Sequence, residues 1–157
     1  MRKKQSDVEY KSMLENYPIY CVNLVIRGEK GALLVLRKQE PAINEWWLPG
    51  GRVYKNERLE EAAVRKAYEE TGLKIKILRK IGVYEIMFEK NPFNNLLNRV
   101  YTTNICYLTS QVNKNLEIKL DKISSDYRWV NTIEKNLHYY VRKVLMDSNI
   151  FRMKHVT

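Results

Sequence analysis

Two adjacent glutamates, Glu69 and Glu70, close a run that begins on a proline and two glycines: PGGRVYKNERLEEAAVRKAYEETGL, residues 49–73. Arg65 stands four residues before Glu69 and Lys66 four before Glu70, so on a helix acidic and basic groups crowd one side just beyond a glycine turn. Adjacent carboxylates repel, which is tolerable on a solvated face and productive when a hard cation is held between them. Mg²⁺ takes about six oxygen ligands at about 2.1 Å and commonly shares a substrate's phosphates. Glu69, Glu70 and a main-chain carbonyl of Gly50 or Gly51 are hard oxygens of that kind. For a Glu-Glu pair taken alone, a solvated helix face is the competing reading.

The elements that must position these groups follow from periodicity and punctuation. IYCVNLVIR, residues 19–27, and ALLVLR, residues 32–37, are strand-like runs separated by Gly-Glu-Lys-Gly, a hairpin signal, and should form the middle of a sheet. A polar link with Pro41 leads to Trp46-Trp47-Leu48 and the sharp change of direction at Pro49-Gly50-Gly51. From Glu57 to Thr71, Leu59, Ala62, Ala63 and Ala67 recur at helical spacing, with Asn56 as N-cap and Gly72 as stop. LKIKILRKIGVYEIMF and RVYTTNICYLT give two further strands joined by KNPFNNLLN. Short strands are expected at Leu116–Leu120 and Tyr127–Val130, then a helix from Thr132 to Asp147 with Ile133, Leu137, Val141 and Leu145 on its apolar face. Residues 1–17 read as a polar leader with a short helix ending before Pro18. The expected fold is α+β, a mixed β-sheet sandwiched between helices.

With 157 residues and 45% hydrophobic content, the chain has the length of one domain with a proper core. No window approaches the ~20 apolar residues of a membrane helix, and the N-terminus has no apolar signal region, so a soluble, cytoplasmic protein is expected. Cys21 and Cys106 have no partner at metal-ligand or redox spacing and read as two reduced core thiols. A formal charge of +10 favours an anionic partner. The basic residues are dispersed, without a nucleic-acid-binding pattern, so a small nucleotide is favoured over nucleic acid, and no membrane partner is expected. A homodimer is compatible with the sequence and not specified by it.

The segment 49–73 resembles the Nudix box GX5EX7REUXEEXGU at Gly51, Glu57, Arg65, Glu69, Glu70, Gly72 and Leu73. The resemblance implies a single Nudix hydrolase domain over residues 1–157 with an α/β/α sandwich and a divalent cation, Mg²⁺ or Mn²⁺. Beyond the box, Pro41-Ala42 before a Trp, then Leu-Pro-Gly-Gly-Arg-Val, and SDYRWV at 125–130 are similar to the GDP-mannose mannosyl hydrolase branch. That branch substitutes water at the anomeric carbon with inversion, releasing nucleoside diphosphate and free sugar. Carried over, the resemblance implies Gly50, Glu69 and Glu70 as metal ligands. It places Arg37, Arg52 and Tyr101 at the diphosphate and gives Arg37, Arg52 and Glu69 catalytic roles. Gly51, Glu57, Arg65 and Gly72 are then structural members of the box, with Arg65 a partner of Glu57 or Glu69. A surface charge is the alternative for Arg37 and Arg52. Trp46, Trp47, Phe88, Phe93 and Tyr84 offer aromatic faces for a purine, Trp46 being assigned to substrate binding; one of the two tryptophans is expected in the core.

Two positions depart from the pattern. Lys66 stands where the box normally carries Glu, as it does not in the mannosyl hydrolase branch, which also lacks that carboxylate; fewer metals or a shifted metal is implied, and Lys66 itself is assigned no substrate contact. The branch also uses a His and a Gln in the loop before its DYRW segment, and here that loop reads Lys122-Ile123-Ser124-Ser125. His138, Glu69, Asp126 and Glu89 remain as candidate bases. Three functions stay open: release of a nucleoside diphosphate from a nucleotide sugar, pyrophosphatase attack on phosphorus giving a nucleoside monophosphate, and a non-catalytic nucleotide-binding module.

Overall fold

The computed structural model describes residues 5–90, 93, 99–114 and 116–152. Its elements run α1 (Asp7–Asn16), β1 (Ile19–Gly28), β2 (Gly31–Arg37), β3 (Trp46–Trp47), β4 (Gly50–Arg52), α2 (Leu59–Thr71), β5 (Ile75–Phe88), β6 (Val100–Gln111), β7 (Ser124–Val130) and α3 (Tyr139–Ser148). The strands form one mixed sheet in the order β3-β2-β1-β6-β5, with β4 also paired to β1 and β7 to β2. The hairpin closes at Gly28↔Gly31, as the Gly-Glu-Lys-Gly signal predicts. β5 and β6 are antiparallel, whereas β1 and β6 run parallel from Ile19↔Thr102 to Arg27↔Ser110.

Because strand side chains alternate between faces, β1 supplies two cores at once. Val22, Leu24 and Ile26 join Leu33, Ile105 and Tyr107 under Ala62, Ala63 and Ala67 of α2. Val25 joins Leu34, Cys106 and Leu108 under Val141, Val144 and Leu145 of α3 on the other face. This is the expected helix–sheet–helix sandwich. The α1 helix packs Leu14 on Ile19 and Val100, at the end where β1 and β6 begin. It opens on a capping box in which Ser6 and Glu9 exchange hydrogen bonds.

Three expected elements differ. The central helix starts at Leu59 and not Glu57, because Asn56 takes a left-handed turn (φ 66°) and Glu57 folds back so that Oε1 accepts from the Tyr54 N–H at 3.0 Å. Residues 116–120 form no strand: the Lys119 N–H bonds to the Thr71 carbonyl at 2.9 Å and so caps α2, while Ile118 packs beneath that helix. The last helix begins at Tyr139, not Thr132. Glu134 is drawn back to β7 by Arg128 (2.7 Å), and His138 caps the helix, its Nδ1 accepting from the Tyr140 N–H at 3.2 Å. Ile133 and Leu137 still reach the α3 core, from turns preceding the helix. Most of the KNPFNNLLN connection lies outside the described residues.

Candidate functional site

The turn at Gly50-Gly51 brings the end of α2 against the sheet. A side chain at Gly50 would place its Cβ 2.1 Å from the Val22 carbonyl oxygen, so only glycine lets β4 lie this close to β1. At Gly51 the Cβ would meet Lys66 Cε at 2.5 Å, and its absence makes room for the lysine. Glu70, with its side chain only 6% exposed, accepts from the Gly50 N–H at 3.0 Å through Oε2 and lies 3.3 Å from Lys66 Nζ through Oε1. Lys66 Nζ is also 3.3 Å from Glu69 Oε2. Burial pushes the Glu70 carboxyl up, against the pull of Lys66 and the Gly50 N–H. Burial opposes the charge on Lys66 as well, but Glu70 and Glu69 outweigh it and hold the ammonium above its ordinary range.

Arg65 ties the box together. Its guanidinium bonds Glu57 through Nε (2.6 Å) and Nη2 (2.8 Å), Glu69 through Nη1 (3.0 Å) and the Arg52 carbonyl through Nη2 (2.9 Å). Its face lies 4.1 Å above the Tyr54 ring. These contacts make it the clamp that fixes the 52–57 turn to α2.

A cavity of about 350 Å³ opens beside this cluster, its lining including Lys66, Glu70, Gly50, Gly51, Arg37 and Arg52. Trp47, Phe88, Asn23 and Asn104 also line it, Asn23 lying directly beside Gly50, its partner across β1 and β4. Arg37 donates to the Pro41 carbonyl at 2.8 Å, across the cis Glu40–Pro41 peptide; burial lowers its pKa, with Glu70 opposing. Arg52 donates to Gln5 Oε1 at 2.7 Å and stacks 4.2 Å over Tyr10. A wider groove adjoins the cavity across Tyr10, Arg52 and Tyr54, and Glu69 and Arg65 line it. Both ion pairs of Glu69 fall on Oε2.

Gly50, Glu70, Arg37 and Arg52 thus line one cavity, with Glu69 on the adjoining groove. Tyr101 is not: its strand neighbours Val100 and Thr102 line the cavity, so Tyr101 projects from the opposite face, where a hydrogen bond to Glu85 raises its pKa. Trp46 is also directed away, with Arg128 4.5 Å over its ring, while Trp47 lines the cavity and packs on Tyr140 at 5.3 Å. Among the candidate bases, His138 caps α3 and packs on Trp47 at 5.0 Å, Asp126 is exposed on β7, and Glu89 pairs with Arg99 at the surface. Both thiols are free and pushed up to about 12 by burial, but Cys21 lines the cavity and is not wholly in the core.

Sequence reasoning passed over Asn23 and Asn104, and it marked Lys66 as a departure from the box without placing it in the site. Asn23 and Asn104 are buried amides on neighbouring strands: the Tyr140 hydroxyl donates to Asn23 Oδ1 at 2.7 Å, and Asn104 donates to Thr102 Oγ1 at 2.8 Å. A lone Asn in each of two apolar strand runs was the available signal.

A mixed sheet between helices, with this box at the junction of β4 and α2, defines a Nudix hydrolase. Residues 18–143 match the NUDIX domain model, and the chain belongs to the Nudix family. The chain is 34% identical over 139 residues to the low-salt glycan biosynthesis protein Agl8 of Haloferax volcanii, covering 88% of this chain and 87% of that one. It is 33% identical over 103 residues to the ADP-ribose pyrophosphatase of Methanocaldococcus jannaschii, covering 66% of this chain and 59% of the other. The crystal structure of a MutT protein from Methanosarcina mazei Go1 superposes with a TM-score of 0.65 at 25% identity, covering 90% of this chain and 99% of that one. These relatives do not single out the GDP-mannose mannosyl hydrolase branch.

Members of the family commonly use divalent cations. The residues here, as they stand, do not fit a preformed Mg²⁺ or Mn²⁺ site. Among the described residues no three acidic, His or Cys side chains converge, and an ammonium already lies between Glu69 and Glu70. No helix among the described residues is long and apolar enough to cross a membrane.

Proposed function

We propose that the chain hydrolyses the diphosphate linkage of a nucleoside diphosphate derivative, releasing a nucleoside monophosphate and a second phosphate ester. The observation that supports this most is the gathering of Lys66, Arg37 and Arg52 in the lining of one cavity with Glu70. Three fixed cations there match the charge of a diphosphate and of the phosphate that leaves it. Trp47 and Phe88, their ring centroids 5.9 Å apart, give a nucleobase an aromatic wall, and the buried amides of Asn23 and Asn104 give it hydrogen-bonding edges. The remainder of the substrate extends past Arg52 into the groove.

In this reading Glu69 is the general base. Glu69 lines the groove, and Arg65 and Lys66 both hold its Oε2. A water oxygen bonds to phosphorus, its proton passes to Glu69, and the bridging P–O bond breaks toward the phosphate held by the arginines. Tyr101 and Trp46, assigned to substrate from the sequence, have no part in it.

The nucleotide-sugar reading, with attack at the anomeric carbon, is favoured by one observation: a glycan biosynthesis protein matches this chain over most of both lengths. A panel of nucleotide sugars, dinucleoside polyphosphates, ADP-ribose and nucleoside triphosphates, assayed with Mg²⁺ and with Mn²⁺ and resolved by anion-exchange chromatography, separates the two. Monophosphate products are expected. Free sugar plus nucleoside diphosphate would transfer the assignment to carbon attack. Tight binding of one of them without turnover would make the chain a binding module.

A further inference from the structure

The box position that normally carries a carboxylate carries Lys66, and the structure shows where its charge goes. The side chain is 11% exposed, lies across Gly51, and ends 3.3 Å from a carboxylate oxygen of Glu69 and 3.3 Å from one of Glu70, on the wall of the cavity. This is the space between the two carboxylates that the sequence assigns to a metal ion. An ammonium there cannot simply step aside. Among the described residues, withdrawing it would leave the buried Glu70 with only the Gly50 N–H as partner, an arrangement that is strongly destabilising. A divalent cation entering the same gap would be repelled by Lys66 and also by Arg37, whose charge is felt at Glu70. The ammonium has three donors, two of them directed at Glu69 and Glu70. The third remains for an oxygen in the cavity.

We infer that Lys66 is the resident cation of this site: it excludes a divalent ion from the Glu69–Glu70 pair of the free protein and itself binds a phosphoryl oxygen of the diphosphate. The phosphate half of the inference rests on the function proposed above; the exclusion of the ion does not. A protein built this way recognises a diphosphate without a metal, through Lys66, Arg37 and Arg52, and meets Mn²⁺ only weakly on its own.

Two titrations of the full chain test it. Mn²⁺ added to the free protein and followed by electron paramagnetic resonance should show no stoichiometric uptake at micromolar concentration. Lys66→Glu, which restores the carboxylate, should bind at least one Mn²⁺ per chain at least tenfold more tightly. Inorganic pyrophosphate, titrated calorimetrically in excess EDTA, should bind the parent protein. It should bind Lys66→Met at least tenfold more weakly, with Lys66→Arg recovering part of the loss. One tight Mn²⁺ per parent chain, or no pyrophosphate binding in EDTA, overturns the inference, and both parent measurements stand even where a variant fails to fold. Absence of turnover on every diphosphate substrate, with both titrations as expected, would sink the hydrolase reading and leave Lys66 as assigned.

Discussion

Glu70 is held by two unlike partners, a backbone N–H and an ammonium, inside a wall that water barely reaches. Glu70→Gln can keep the first bond, because an amide oxygen also accepts from the Gly50 N–H, and loses the second. Activity is expected to fall on the order of 100-fold or more, as for loss of a group that fixes transition-state charge, with a circular-dichroism spectrum like the parent's. Retention of activity within about threefold would remove Glu70 from the site. The box residues were legible because their spacing is rigid: Gly51, Glu57, Arg65, Glu69 and Gly72 each meet a need of one turn and one helix. Lys66 was legible as a departure but not as a contact, since nothing in sequence order tells whether a lysine on α2 faces water or Gly51. Tyr101 and Trp46 show the opposite case. A strand puts adjacent residues on opposite faces, and choosing between Trp46 and Trp47 needs the register with β2, which pairs Trp47 with Val35 and Trp46 with Leu36.

At the scale of elements, the α3 helix begins on a histidine whose ring nitrogen must stay unprotonated to accept the Tyr140 N–H. Burial lowers the pKa of His138 below its ordinary 6.5, so the folded chain releases a proton there more readily than the unfolded one. Its stabilising contribution is complete above pH 6.5, declines as pH falls through the interval down to the folded pKa, and is absent below it. Urea midpoints measured across that interval should fall more steeply for the parent than for His138→Asn, which keeps a capping oxygen that does not titrate. Equal slopes would remove the histidine from the acid response. The β1–β4 contact makes a second element-scale prediction. Gly50→Ala drives a Cβ into the Val22 carbonyl, and a loss of about 1–3 kcal/mol or more is expected in a denaturant melt. The central strands and α2 were readable from period and punctuation. The capping segment at 116–120 was not, because the Lys119 N–H goes to a helix end and leaves an alternation that mimics a strand.

For the whole molecule, a formal charge of +10 faces an anionic substrate, so association should weaken with salt. KM is expected to rise several-fold between about 0.05 and 0.3 M KCl while kcat changes little, and a flat KM would confine the electrostatics to the cavity. Hydrolysis in ¹⁸O-enriched water fixes the bond that breaks. Phosphorus attack puts the label in a phosphate product, and label in the sugar would establish attack at carbon with the family assignment untouched. The parallel pairing of β1 with β6 carries a further consequence, for how the molecule comes into being. The box helix and both its flanking turns are made early in synthesis, yet Cys21 and Asn23 face Asn104 and Cys106 only after nearly the whole sheet has been synthesised. Contacts that join such distant stretches of chain form slowly, since the loop between them must close before they contribute. A nascent chain halted before Val100 would carry the cations without a wall to enclose them, and its β1 would present an open edge able to pair with another chain. Completion of β6 is therefore the step at which this protein gains both its cavity and its protection from aggregation.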